Sequence, residues 1–356
     1  MKILVSALEH SANMHLKSLK KELSETTEFV GIFDSELGDS IIDLRSLAIM
    51  GFVDAIKKLR FFFKLNSQMA EMAKHVDKVL LIDSSGFNLP LAKKIKKRYP
   101  NKEIIYYILP QAWAWKKKRI PVLERTIDHL CSILPFEKDY YSKTAPITYV
   151  GHPLLDVIKE FKEALSPHVK NIAFMPGSRK GEIKKLMPIY TKLLHTLREK
   201  KLNIEATIII PKHFSEADIQ ELYGNLSGFK IAHDAHKTLF EADFAFICSG
   251  TATLEASLIG IPFILTYIAK PLDYFIASKL VKLSHIGLSN IMFSQFNDRE
   301  LHPEFIQEDV TVENLLKSYK EYDRGKFLND SKALRDYLQH GSSKTVAKII
   351  EDNNEN

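Results

Sequence analysis

The chain has 356 residues, 45% hydrophobic and 26% charged, with a formal net charge of +6 and two cysteines. That length suits two domains of ordinary size, each with its own core. No apolar run approaches the roughly 18 residues of a spanning helix. The positive balance favours an anionic partner, but zinc-finger spacing, an RNA-binding aromatic motif and a long basic tail are all missing, so nucleic acid is not expected.

The opening stretch MKILVSALEH is too short in its apolar part for a signal peptide and lacks a small-residue cleavage site, so Lys2–Ala7 reads as a first strand. Further strands are expected at Phe29–Ile32, Lys78–Asp83, Glu103–Ile108, His129–Ile133 and Thr148–Val150. Their nearly continuous hydrophobicity implies burial on both faces, as in a parallel sheet covered by helices. Polar Lys159–Lys170, holding Pro167, reads as a linker. The pattern then restarts with Asn171–Met175, Ala206–Ile210, Phe229–Ile231, Phe244–Ile247 and Pro262–Thr266. The expected fold is α/β: two tandem doubly wound domains with a cleft between them. They are placed at residues 1–165 and 166–340, followed by a C-terminal helix and polar tail at 341–356. Cys131 and Cys248 fall in strand-like segments without metal-ligand spacing, which fits a reducing cytoplasm.

Ligands of open α/β sheets bind outside the carboxyl ends of the strands, and five segments there carry unusual chemistry. ALEHSAN, Ala7–Asn13, follows the first strand; Glu9 and Ser11 could face a ligand, or Ser11 could be a helix N-cap. In LLIDSSGFN, Leu80–Asn88, Asp83 ends an apolar strand, where a carboxylate is costly unless paired or useful. It could serve as a general base toward a sugar hydroxyl, or Asp83 or Asn88 could simply cap the next helix. PQAWAWKKKR, Pro110–Arg119, holds the only two tryptophans, Trp113 and Trp115, ahead of four basic residues. Alternation in an extended segment would put both rings on one side, for stacking on a sugar or acyl chain, or for filling core.

The other two segments follow strands of the second half. In MPGSRKGE, Met175–Glu182, the turn at Ser178 and the guanidinium of Arg179 could meet a phosphate, or the turn could be an ordinary loop. In CSGTATLEA, Cys248–Ala256, the run Ser249, Gly250, Thr251, Ala252 and Thr253 opens a helix whose free N–H groups and hydroxyls could hold a diphosphate. Glu255, one turn inside, is placed to accept from ribose hydroxyls. The alternative is a helix capped by its own Ser and Thr. His10, His15, His152 and His285 are scattered without ligand spacing and read as structural.

PQAWAWKKKR, ILPFEKDYY, VGHPLLD, MPGSRKGEIKKLMP, SGTATLEA and HIGLSNIM with PEFIQED resemble, in that order, the lipid-A-disaccharide synthase family. The resemblance implies an inverting glycosyltransferase of two Rossmann-like domains (GT-B type) acting in lipid A biosynthesis. Its donor would be UDP-2,3-diacylglucosamine and its acceptor 2,3-diacylglucosamine 1-phosphate, giving a β-1,6 disaccharide and UDP. It would work in the cytoplasm, peripherally on the inner-membrane lipid surface, and the sequence is compatible with a homodimer. The family's catalytic aspartate falls on Asp83, its phosphate-region arginine on Arg179 and its N-terminal glutamate motif on Glu9 and Ser11. Donor contacts would fall on Ser249, Gly250, Thr251, Glu255, Asn290, Gln307 and Glu308.

This chain departs from the family in places. Leu8 precedes the glutamate where glycine is usual, Ala12 and Asn13 stand where Gly-Asp is usual, and DSSGFN replaces DAPDFN, so Gly86 stands where a second carboxylate is usual. No Asp-x-Asp pair occurs, so no obligatory metal is expected; the expected cofactor set is likewise none. Rivals are another UDP-sugar enzyme of the same architecture (a UDP-N-acetylglucosamine 2-epimerase or a peptidoglycan-precursor glycosyltransferase) and an inactive UDP-sugar-binding paralogue. The acylated substrates call for a membrane contact. In Phe52–Leu65, helical periodicity aligns Phe52, Ile56, Leu59 and Phe63 as a docking stripe. That sets Phe61 and Leu65 outward among Lys57, Lys58 and Lys64, toward lipid.

Overall fold

The computed structural model describes residues 1–42, 55–200, 203–269 and 285–352, the side chains of 55–59 and 115 excepted. The chain forms two units, Met1–Val157 with Leu338–Asn356, and Ile158–Tyr337. The first unit holds a seven-stranded sheet in the order β3-β2-β1-β4-β5-β6-β7. Its strands are β1 (Lys2–Ser6), β2 (Glu28–Ile32), β3 (Asp39–Ser40), β4 (Lys78–Ile82), β5 (Ile104–Tyr107), β6 (His129–Ser132) and β7 (Ile147–Tyr149). The second unit holds a six-stranded sheet, β10-β9-β8-β11-β12-β13. It comprises β8 (Asn171–Met175), β9 (Glu205–Ile209), β10 (Lys230–Ala232), β11 (Phe244–Cys248), β12 (Phe263–Tyr267) and β13 (Glu304–Ile306). β1 pairs in parallel with both β2 and β4, and β8 with both β9 and β11, as the apolar character of these strands implies.

This order decides where ligands go. In each sheet the chain builds outward in one direction and then returns to build in the other. The reversal lies between β1 and β4 in the first sheet and between β8 and β11 in the second. Loops leaving adjacent strands at such a switch point splay apart and leave a crevice at the strands' carboxyl ends. Four of the five segments singled out above are those loops.

The short edge strands β3 and β13 were not expected from the sequence; two and three residues are too few to show a period. The C-terminal helix, placed by sequence outside both domains, belongs to the first unit. In Ser342–Glu351, the side chains of Val346 and Ile350 are fully buried in one apolar cluster with Ile3, Val5, Leu80 and Ile82. Asp156 anchors its start by accepting from the Gly341 and Ser343 amides at 2.8 Å each. Ile350→Ala should therefore cost about 2–5 kcal/mol, the usual penalty for a truncated core aliphatic, measured as a shift in the denaturation midpoint of the first unit.

Helix Ala55–Met72 corrects the lipid-facing assignment. Leu65 is 1% exposed and sits in the core with Met69, Ala70 and Ala73, and Phe61 and Phe62 pack against that cluster. Phe63, assigned to the docking stripe, is 62% exposed. The buried stripe runs forward from Phe61 through Leu65 to Met69, at helical spacing. Anchoring the register on Phe52 instead turned the helix to the wrong face. Phe52 itself and the side chains of Ile56, Lys57, Lys58 and Leu59 lie outside the described residues.

Candidate active site

In the first unit, Asp83 directly follows β4 and Glu9 follows β1. They line one cavity of about 430 Å³ with Leu8, Ser84, Ser85, Gly86 and Phe87. Asp83 and Ser84 both adopt left-handed backbone, φ 50° and 41°, and Ile108, just past β5, does so at 63°. Such conformations cost non-glycine residues of order 1 kcal/mol or more and gather where function demands them.

The surrounding hydrogen bonds hold Asp83 in place. Tyr106 donates its hydroxyl to the Asp83 carbonyl at 2.7 Å. Asn88 Nδ2 donates to the same carbonyl at 2.8 Å and to that of Ile82 at 3.1 Å, while Asn88 Oδ1 accepts from Ser6 Oγ at 2.6 Å. Asn88 is 0% exposed and both ends of its amide are engaged. It is therefore a positioning residue, and its assignment to substrate contact is corrected. Burial first, and then the nearby negative charge of Glu9, push the Asp83 carboxyl above its ordinary range, while the Ser84 amide opposes them. Ser84 Oγ reaches Glu9 Oε1 at 3.3 Å.

Glu9, not Ser11, is the N-cap of helix His10–Lys20, and Ser11 is an exposed residue of the first turn. Asn13, which stands where the family has aspartate, is a supporting residue that sequence reading missed. Its Nδ2 donates to the Ala7 and Glu9 carbonyls at 2.9 and 2.8 Å, and its Oδ1 accepts from the Asp34 amide at 2.7 Å.

The tryptophan segment is not extended: Ala112–Trp115 is a helical turn, in which residues two apart face opposite ways. Trp113 is 6% exposed, with its ring edge-on to Phe136 at 5.0 Å and tilted on Tyr140 at 5.9 Å. Its ring fills core, which corrects the stacking assignment; the Trp115 side chain lies outside the described residues.

In the second unit two helices begin at the switch point, Lys180–Glu199 after β8 and Thr251–Ile259 after β11, with Arg179 and Gly250 as N-caps. Neither cap residue gives a side-chain hydrogen bond to its helix. Amides of both first turns are therefore available to an anion, with the helix dipoles aligned to favour one. Ser178, Arg179, Gly250 and Thr251 are exposed, and Ser249 and Ala252 half-buried, along this edge. Arg179 Nη1 is held by Glu182 Oε1 at 2.9 Å, an ion pair that raises the guanidinium pKa further. Glu255, one turn inside, faces His236 Nδ1 at 3.1 Å. Glu182 closes the MPGSRKGE segment without a role having been read for it, and His236 carries no motif signature.

Two assigned donor contacts, Thr253 and Asn290, are structural instead, and a third, Gln307, is partly engaged. Thr253 is 0% exposed and donates to the Gly250 carbonyl at 2.8 Å. Asn290, also 0% exposed, donates to the His302 carbonyl and to Glu304, and accepts from the Leu301 and His302 amides. Gln307 Oε1 accepts from the Ala269 amide at 2.8 Å, which leaves only its amide nitrogen for a ligand. Glu308 is exposed beside it. Glu304, also missed, caps the Ile286 and Gly287 amides at 2.8 and 3.0 Å. A larger cavity of about 580 Å³, bordered by Arg299, Lys317 and Asp330, includes none of the switch-point loops.

The first unit thus presents a carboxylate with a raised pKa, and the second presents two helix starts without side-chain caps. The fold is shared with the S. aureus MnaA–UDP co-structure (TM-score 0.62, 13% identity, 98% of this chain and 96% of that one). It is shared too with UDP-GlcNAc 2-epimerase from Neisseria meningitidis bound to UDP-GlcNAc (0.60, 12%, 99% and 100%). Sequence relatives are far nearer. Lipid-A-disaccharide synthase of Helicobacter pylori (strain G27) is 50% identical, over 97% of this chain and 96% of the relative. That of Campylobacter jejuni is 45% identical, over 98% and 99%. The family model for lipid-A-disaccharide synthetase matches residues 3–354. On loops, sheets and relatives together, the chain belongs to the lipid-A-disaccharide synthase family of glycosyltransferases.

Proposed function

We propose that this chain transfers 2,3-diacylglucosamine from UDP to the 6-hydroxyl of 2,3-diacylglucosamine 1-phosphate, with inversion at C1. The observation that carries the reading is the division of chemistry between two switch points. One holds a half-buried carboxylate whose pKa is raised, and the other two helix N-termini without side-chain caps. Asp83 takes the proton of the 6-hydroxyl as its oxygen bonds to C1, and the bond from C1 to the UDP oxygen breaks on the opposite face. Glu9 keeps Asp83 basic enough to accept that proton. The developing diphosphate charge falls on the amides of the two helix starts and on Arg179, positioned beforehand by Glu182. Glu255, steadied by His236, accepts from the ribose hydroxyls.

Arg179→Ala should weaken UDP binding and lower turnover together, by about tenfold or more each, because a charge-assisted contact is lost in ground and transition states. Unaltered UDP affinity by calorimetry, with unaltered rate, would reduce Arg179 to a solvated loop charge. Incubation with UDP-N-acetylglucosamine alone separates the rival chemistry: no epimer should form, and its appearance would replace the transferase reading.

No described helix is long and apolar enough to cross a membrane. The lipid contact is proposed on exposed Phe63, flanked by exposed Arg60 and Lys64. A ring among cations on an outer helix face suits the boundary between acyl chains and lipid phosphates. Phe63→Ser combined with Arg60→Glu and Lys64→Glu should abolish co-sedimentation with anionic vesicles and leave UDP affinity intact. Undiminished co-sedimentation would move the contact to another surface.

A further inference from the structure

Arg119 closes the basic run of PQAWAWKKKR, and nothing in the mechanism above uses it. It stands just ahead of helix Ile120–Thr126, and its Nη1 donates to Ser85 Oγ at 2.9 Å. Ser85 lines the cavity that holds Asp83 and Glu9. The guanidinium also lies close enough to Tyr106, which bonds the Asp83 carbonyl, to act on it electrostatically, although burial and then Asp83 outweigh it and keep the phenol protonated. A guanidinium has five N–H donors. Ser85 takes one, and among the described residues no carboxylate pairs with Arg119. A half-buried cation beside a cavity is costly unless something anionic answers it. Glu9 and Asp83 repel an anion, so a ligand's negative group is better placed beside Ser85, where Arg119 stands.

We infer that Arg119 is a specificity-determining residue that binds a phosphate monoester on the acceptor sugar and so sets which hydroxyl faces Asp83. The inference rests on the acceptor reading above. Phosphate suits the fork geometry of arginine, which offers two parallel donors to two oxygens. Anchoring the phosphate at Arg119 turns the far end of the sugar toward the base and disfavours a neutral sugar in either orientation. Lys117, occupied over the Tyr140 ring at 5.5 Å, is not placed to substitute.

The test is steady-state kinetics of the full chain in phospholipid-free detergent micelles, with the acylated glucosamine acceptor bearing either a 1-phosphate or a free 1-hydroxyl. The wild type should prefer the phosphate by about 10- to 100-fold in kcat/KM, the range for a charge-assisted contact. R119A should bring that preference within about threefold, mainly through acceptor KM. Donor KM should be unchanged, which also reports an intact fold, and R119K should recover part of the preference. An undiminished preference in R119A with normal donor KM overturns the inference. So does loss of anionic-vesicle binding in R119A with the preference kept, since the guanidinium would then be serving a lipid headgroup. Failure of the wild type to turn over either acceptor would overturn the acceptor reading itself and this inference with it.

Discussion

Asp83→Asn should lower turnover by a factor of about 100 or more while leaving UDP affinity unchanged, the signature of a lost general base. The substitution suits the site sterically, since asparagine tolerates the left-handed backbone that Asp83 adopts at φ 50°. It keeps an acceptor oxygen but cannot take a proton. Stability gives a second readout with a definite sign. Because the Asp83 carboxyl is raised in the folded state, its ionised form opposes folding at neutral pH. Removing the charge should therefore hold or slightly raise the melting temperature while activity collapses. The rate profile follows the same linkage. Activity needs ionised Asp83, so it should be lost, as pH falls, at a pH above the ordinary aspartate range. Glu9→Gln removes a negative neighbour and should move that acidic limb to lower pH. A limb that does not move would mean the titration belongs to another group.

Gly177→Ala should disrupt donor binding more than any substitution of an exposed loop side chain. Gly177 turns the chain at φ +105°, and a Cβ there would sit 2.7 Å from Glu182 Oε2 and 3.1 Å from Cys248 Sγ. The Glu182 side chain is only 10% exposed and engaged with Arg179, so it has little room to withdraw. One methyl group therefore strains the backbone, displaces the carboxylate that aims Arg179 and shifts the first amides of the following helix. UDP affinity should fall by about 10- to 100-fold, with a stability loss of about 1–3 kcal/mol from strain and overpacking. Gly181→Ala is the matched control, four residues on. Outside its own helix backbone and chain neighbours, no atom lies within 4 Å of its added carbon, so it should bind UDP normally and be neutral or slightly stabilising. Normal UDP affinity in Gly177→Ala would remove this turn from the donor site.

The sheets and the loops at their carboxyl ends were legible because fully buried parallel strands read as unbroken apolar runs, and Asp83, Arg179 and Gly250 stand where such runs stop. Polar residues beyond those points were harder to assign. Asn88, Thr253 and Asn290 have the side-chain chemistry of ligand contacts, yet each spends it on backbone groups of its own fold. A sequence does not distinguish an amide that holds a strand end from one that holds a sugar. His236 and Asn13 were missed for the converse reason: their roles depend on Glu255 and Asp34, brought near only by folding, whereas Glu182 pairs with Arg179 one helical turn away, which its spacing alone did not single out. The helix at Ala55–Met72 shows the limit of periodicity. The period was right and the phase was not, because Phe61, Leu65 and Met69 compete with Phe63 for the buried face.

In the proposed reaction one polypeptide joins two acylated sugars using the carboxylate of one switch point and the helix starts of the other. This reaction is tested most directly by incubating the purified chain with UDP-2,3-diacylglucosamine and 2,3-diacylglucosamine 1-phosphate and reading the product by proton NMR. Equal amounts of UDP and a disaccharide with a β-1,6 linkage should form, with almost no disaccharide from Asp83→Asn. An α linkage, an Asp83→Asn variant of wild-type rate, or UDP binding without disaccharide would contradict the proposed reaction.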